Sequence, residues 1–372
     1  MKILHITTNF EVGGISSYIV TLAKGLKQHG IDVSCASAGG PLIHELELQG
    51  IKHFQLTINT KNELHPKLIF AVYRLIEIIK KNEITHIHAH TRVAQVVAAC
   101  AQRFVKVHYM STCHSYFRRK PLRKLFPAWG DRIVAISDPL REHLVNDFKI
   151  PKQMITLIEN GIDTDVASKR LNDYDKTELR KYYGLHDSNF VIGSVSKLQK
   201  TKGYQDLIRA MPAIRAAYPK TKCILIGEGK YRKTLIRLAR KLKVENSVLF
   251  PGQLEDVSFV LQMIDLFVLP AIWGEGFGLS ILEAMAYGRP IVATNTGSVY
   301  TLVKEGENGL LVPICNAQAL ADAIIYLTQH PELLEQMSRK SLQVAKHEFP
   351  LGVMISKMIA LYESFGDEKE PS

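Results

Sequence analysis

Residues 270–290 read Pro-Ala-Ile-Trp-Gly-Glu-Gly-Phe-Gly-Leu-Ser-Ile-Leu-Glu-Ala-Met-Ala-Tyr-Gly-Arg-Pro, where two carboxylates, Glu275 and Glu283, bracket the end of a glycine-rich turn. Gly274, Gly276 and Gly278 let the backbone approach a ligand closely and leave the N–H groups of Phe277, Gly278 and Leu279 free where a helix starts. Those donors and the positive end of the helix dipole suit an anion such as a diphosphate. Glu275 precedes the helix and would repel that anion, so hydroxyl groups are its better partners. Glu283 lies about one turn inside. One carboxylate for a sugar and one for a ribose diol would fit a nucleotide-sugar. The competing reading is an ordinary helix with exposed acids, closed by Gly288 and Pro290.

Other groups point to less. His86, His88 and His90 alternate, so on a strand they share one face. Metal ligation, a place at the edge of a binding site and plain structural packing are the three readings. No cysteine or carboxylate ligand stands nearby to favour a metal. Asp163-Thr164-Asp165 imitates a metal-binding DxD but follows the turn Asn160-Gly161-Ile162, which reads as a turn with solvated acids. The dinucleotide fingerprint GxGxxG is absent after the first strand, Gly227-Glu228-Gly229 lacks a third glycine, and there is no GxxxxGK[ST] loop. Nicotinamide enzymes and P-loop NTPases are therefore disfavoured.

The elements that must carry these groups alternate between strand and helix. Residues 2–7 read as a buried strand, and a helix then shows Ile15, Ile19, Leu22 and Leu26 as one stripe ending at Gly30. Apolar runs follow at 31–36, 84–88, 107–112, 132–136 and 155–158, with a helical stretch at 66–81. From about Lys169 to Asn189 the chain turns polar and helical. A second series begins at Phe190–Val195 and continues at Cys223–Ile226, Ser247–Phe250, Leu266–Leu269, Pro290–Ala293 and Gly309–Val312. Strands alternating with helices imply parallel sheets covered on both faces. The 372 residues, 46% apolar and 22% charged, suit two such domains in a soluble chain. The expected division is 1–168 and 169–351, with a helix over about 352–366 packing back on the first domain and a flexible tail at 367–372. No run reaches the roughly 18 apolar residues of a membrane span. Five scattered cysteines without a CxxC pair favour a reduced, cytoplasmic setting.

The spacing Glu275 to Glu283 resembles the E-x7-E signature of the retaining glycosyltransferases of family 4. Ordered matches extend along most of the chain. Gly13-Gly14 looks like the family's first-loop glycine pair, Thr112-Cys113-His114 like its T-x-H element, and Glu159-Asn160-Gly161-Ile162-Asp163 like its NGID turn. Gly227-Glu228-Gly229 with Arg232 resembles its G-x-G element, and Gly309-Leu310-Leu311-Val312-Pro313 a run typical of it. In Val195-Ser196-Lys197-Leu198-Gln199-Lys200-Thr201-Lys202-Gly203, Lys202 fits the family pattern, but Lys197 stands where arginine is usual. An ammonium still neutralises diphosphate but lacks the guanidinium fork.

The resemblance implies the GT-B fold, two Rossmann-like doubly wound α/β domains facing across a cleft. It implies sugar transfer with retention from a nucleotide donor, UDP- or GDP-linked, to a saccharide or glycolipid acceptor, as in bacterial-type polysaccharide or lipopolysaccharide assembly. Lys197, Lys202 and the N–H groups of Phe277, Gly278 and Leu279 would stabilise the leaving group. Glu275 would hold sugar hydroxyls, Glu283 the ribose, His114 would sit by the reacting sugar, and Gly14 would lie in the donor site. No metal or other cofactor is expected. A 2-epimerase of the same fold and a non-catalytic nucleotide-sugar-binding subunit are the rival readings.

Charge is uneven. Residues 1–170 hold 23 Lys/Arg against 14 Asp/Glu, a net +9, out of +11 for the whole chain. Its densest cluster, Phe117–Trp129, carries five basic residues and no acid, interleaved with Phe117, Leu122, Leu125, Phe126 and Trp129. This composition suits an anionic membrane surface, with a solvated charge run as the alternative. A peripheral enzyme on the inner face of the cytoplasmic membrane is the expectation. No recognition motif supports nucleic-acid binding.

Overall fold

The computed structural model describes residues 1–119, 123, 125–165 and 171–367. The chain divides into two units, Met1–Asn160 with Leu351–Ser372, and Gly161–Pro350. The change of unit falls at Asn160/Gly161, ahead of the expected 168/169, because Ile162 already belongs to the second unit: its N–H donates to Phe349 O at 2.9 Å. The end of the expected tail, residues 368–372, lies outside the described residues.

In the first unit, β1 (Lys2–Ile6), β2 (Asp32–Ser37), β3 (Lys52–Gln55), β4 (His86–Ala89), β5 (His108–Cys113), β6 (Arg132–Ala135) and β7 (Ile155–Leu157) form one sheet in the order β3-β2-β1-β4-β5-β6-β7. All its pairings are parallel. The period of two sorts the side chains onto two faces. Leu4, Ile6, Ile87 and Ala89 face the helices Lys67–Asn82 and Arg92–Gln102. Ile3, Cys35, Met110 and Val134 face the helix Gly14–Gln28 and the last helix, Leu351–Asp367, which buries Met354, Ile355, Met358 and Tyr362 there. Each large aliphatic side chain so buried contributes about 1.5–3 kcal/mol.

In the second unit, β8 (Val191–Val195), β9 (Lys222–Ile226), β10 (Val248–Gly252), β11 (Leu266–Leu269), β12 (Ile291–Thr294) and β13 (Gly309–Val312) form a parallel sheet in the order β10-β9-β8-β11-β12-β13. Ile192, Leu225, Val268 and Val292 anchor a core shared with the helices Tyr204–Ala217 and Ala317–Gln329. Each sheet reverses its order once beside its first strand, between β1 and β4 and between β8 and β11. In open parallel sheets ligands bind beyond the strand ends at such a switch point.

Among the described residues no helix is long and apolar enough to cross a membrane. The five cysteines are free thiols.

Candidate active site

At the β8/β11 switch point, two loops lock together. The loop after β8 ends in the short turn Lys200–Lys202 and Gly203, whose φ of +69° is left-handed. A side chain on Gly203 would put its Cβ 1.6 Å from Pro270 O. Thr201 O accepts from the N–H of Ile272 at 2.9 Å, tying the same turn to the loop after β11. Lys202 Nζ then reaches Glu275 Oε2 at 2.6 Å, with both side chains about one-fifth exposed. A third loop holds the Glu275 backbone, since Ser298 N–H donates to the Glu275 carbonyl O at 2.9 Å. Neighbouring Gly297, at φ +60°, leaves no room for a Cβ, which would lie 2.2 Å from Glu275 O.

After Glu275 the chain buries Phe277 and turns at Gly278, φ +98°, into the helix Leu279–Ala286. No side chain caps this helix, and its first turn holds no acid. The dipole end is thus open beside Lys202 and suits an anion. Glu283 is half-buried on the same helix and has no hydrogen-bond partner among the described residues. Burial, with a smaller contribution from the Asp256 carboxylate, pushes its carboxyl up to about 7.

Lys197 is exposed. Its loop is held from the other side: Leu198 N–H donates to Glu228 O at 2.9 Å and Tyr231 N–H to Leu198 O at 3.0 Å. This brings the Gly227-Glu228-Gly229 turn alongside. Arg232 pairs with Glu228 at 3.3 Å.

His114 and Gly14 belong to the first unit. Gly14 opens the helix Gly14–Gln28. His114 follows β5, half-buried, with Nε2 3.1 Å from His90 Nδ1. His86, His88 and His90 are all buried, and His5 joins them from β1. One nitrogen each of His5, His88 and His90 lies within 4.8 Å of the others. Both nitrogens of His88 and both of His90 are already in hydrogen bonds, so a cation there would have to break that network. Asp163 Oδ1 accepts from Asp165 N–H at 2.9 Å, a local turn as the spacing suggests.

The basic cluster at 117–129 is described in part. Lys120, Pro121, Leu122 and Lys124 lie outside the described residues. Trp129 is only 6% exposed, and the Arg123 guanidinium lies 3.9 Å from the centre of the Phe117 ring and 5.4 Å from that of Trp129. Arg119 pairs with Asp147. Arg123 thus packs on its own unit, where stacking on an aromatic face offsets the cost of burying the guanidinium, while the Arg119 side chain stays more than half exposed. Leu125 alone among the described apolar members is exposed.

Residues 12–166 match the family described as Glycosyltransferase Family 4, and residues 175–344 match Glycosyl transferases group 1. An uncharacterized glycosyltransferase of Haemophilus influenzae is 36% identical over 345 residues, covering 89% of this chain and 91% of its own. The UDP-Gal:alpha-D-GlcNAc-diphosphoundecaprenol alpha-1,3-galactosyltransferase of Escherichia coli is 23% identical over 97% of this chain and 96% of its own. Among solved structures, Anabaena HepE in complex with UDP and glucose superposes with a TM-score of 0.88 at 24% identity, covering 98% of this chain and all of that one. That likeness gives the fold as GT-B. Two interlocked sheet-end loops, an ion pair beside an open helix start and family matches over both halves agree: the chain belongs to the family 4 glycosyltransferases and is a glycosyltransferase.

Proposed function

We propose that the enzyme moves a sugar from a nucleoside diphosphate-sugar to a saccharide or lipid-linked acceptor with retention of configuration. The observation that carries this reading is the Lys202–Glu275 ion pair beside the uncapped start of the helix Leu279–Ala286. It holds a cation for a diphosphate next to a carboxylate for sugar hydroxyls. Lys202, Lys197 and the N–H groups of Phe277, Gly278 and Leu279 stabilise the leaving diphosphate. Glu275 orients the sugar, Glu283 accepts from the ribose diol, and Gly14 lines the donor site. His114 lies by the reacting sugar. The bond from the anomeric carbon to the diphosphate oxygen breaks, the acceptor oxygen bonds to the same face, and the acceptor proton passes to the leaving phosphate. Protein charges take the place of a metal ion.

The name of the Escherichia coli relative, with its UDP-sugar and diphosphoundecaprenol, supports a lipid-linked acceptor in cell-surface polysaccharide assembly. A peripheral position on the inner face of the cytoplasmic membrane follows from such an acceptor. Four exposed apolar side chains support it: Leu64, Ile69, Phe70 and Tyr73 are 60–73% exposed on and just before the helix Lys67–Asn82. Lys67 and Arg74 flank them and are also exposed. Such a basic-apolar face suits an anionic headgroup layer.

A thermal-shift screen of UDP-, GDP-, ADP- and dTDP-sugars tests the donor, because a bound ligand stabilises by mass action. One class should raise Tm, and free nucleoside diphosphate should then appear only when acceptor is added. Nucleotide released without transfer of the sugar, or epimerised sugar without acceptor, would overturn the reading.

A further inference from the structure

A row of imidazoles crosses the switch point of the first sheet. His5 on β1 pairs in register with His88 on β4, and His90 follows that strand directly. His5 Nδ1 lies 3.0 Å from His90 Nε2, and His90 Nδ1 lies 3.1 Å from His114 Nε2. His88 is tied elsewhere, with Nδ1 2.6 Å from the Tyr362 hydroxyl and Nε2 2.7 Å from Thr112 Oγ1. Burial pushes His5 and His114 down to about 3, and burial with the neighbouring rings holds His90 well below its ordinary value. All three rings in the row are therefore neutral near pH 7.

A neutral imidazole has one N–H and one lone pair. Two contacts in series then allow only two arrangements. With protons on Nδ1 throughout, His5 donates to His90, His90 donates to His114, and His114 keeps an N–H at Nδ1. With protons on Nε2 throughout, every donation reverses and an N–H is left at His5 Nε2. That atom is buried without a partner among the described residues. A buried N–H with no acceptor is among the rarest features of folded proteins. The first arrangement leaves only a lone pair there.

We propose that His5 and His90 are positioning residues that hold His114 as its Nδ1–H tautomer, so that it meets the sugar as a hydrogen-bond donor and not as a base. This rests on the assignment of His114 to the reacting sugar. The tautomer itself follows from the row alone.

Side-chain nitrogen NMR of the full chain labelled with 15N-histidine tests it directly. His114 should show a protonated Nδ1 and an unprotonated Nε2 between about pH 6 and pH 8. A proton on Nε2, or an exchanging mixture, overturns the proposal. A second arm uses His90→Phe, which removes the donor to His114 Nε2, and His90→Asn, which returns a side-chain N–H beside it. In His90→Phe the His114 nitrogens should become a mixture. Turnover should fall by roughly tenfold to a hundredfold with donor KM unchanged, the scale of loss from a misplaced catalytic group. His90→Asn should restore both. Unchanged His114 nitrogens in His90→Phe overturn the row as the cause. Changed nitrogens with unchanged turnover overturn its role in transfer and leave the glycosyltransferase reading intact. If the wild-type chain transfers no sugar, that reading fails while the spectrum still decides the tautomer. The wild-type spectrum needs no variant to fold.

Discussion

At the switch point of the first sheet, between β1 and β4, stand His5, His88 and His90, buried and hydrogen-bonded among themselves and to Thr112, His114 and Tyr362. At that of the second, between β8 and β11, stand Lys202 and Glu275, formally charged and one-fifth exposed. The same topology therefore carries a neutral network in one unit and an ion pair in the other. The solvent access of each place explains the difference. Fully buried groups avoid charge because desolvation penalises it. A partly exposed pair keeps its charge and can exchange its partner for a ligand.

The comparison breaks if the charged site is dispensable. Glu275→Ala is expected to lower turnover by about 10³ or more with the fold intact, measured as transfer rate beside the circular dichroism spectrum. Wild-type turnover in that variant would remove the second switch point from the chemistry. Next in size, Lys202→Ala should cost roughly 10²–10³ in turnover, because a donor to the leaving diphosphate is lost. The loss should be accompanied by a weaker dependence of donor affinity on salt, read by titration at two ionic strengths.

Glu283 sharpens the contrast through pH. Its folded-state value of about 7 lies above the ordinary 4.5, so the folded chain holds a proton that the unfolded chain releases. Stability of the free protein is therefore lost as pH rises from about 4.5 through 7. Glu283→Gln should remove that fall, and the Tm difference from wild type should grow with pH. Nucleotide affinity in the wild type should instead rise from about pH 6 to 8 as the carboxylate ionises to accept from the diol. A flat wild-type affinity profile would dissociate Glu283 from the ribose. The smallest effects are expected for Lys197→Arg and for chelation. The guanidinium fork should lower donor KM by roughly threefold, within reach of one added charge-assisted hydrogen bond. EDTA should leave transfer unchanged, since in the proposed mechanism the leaving group is stabilised by protein charges.

Much of the second unit is legible in the amino-acid string. The apolar run at Leu266–Leu269 coincides with β11 because a strand buried on both faces leaves an unbroken apolar signature. β3 leaves none: Lys52-His53-Phe54-Gln55 is an edge strand of exposed and half-buried residues. The glycine turn and its carboxylates lie within one short segment and can be read there. That Lys202 meets Glu275, 73 positions away, depends on which strands are neighbours. His5 carries no local signal; only the register of β1 on β4 brings it to His90. The burial of Trp129 and Arg123 within the basic cluster is hidden for the same reason, since it comes from tertiary packing that no spacing announces.

One consequence concerns the order in which the protein can assemble on the ribosome. The first unit is synthesised first, yet Met354, Ile355, Met358 and Tyr362 of its core come from the helix Leu351–Asp367. The second unit is continuous and interrupts the first between Asn160 and Leu351. Nascent chains should therefore complete the second unit before the histidine-bearing first unit, the reverse of their appearance from the exit tunnel. Until the last helix arrives, His88 lacks Tyr362 and part of one face of the first sheet stays open, an interval in which a chaperone would find an apolar surface.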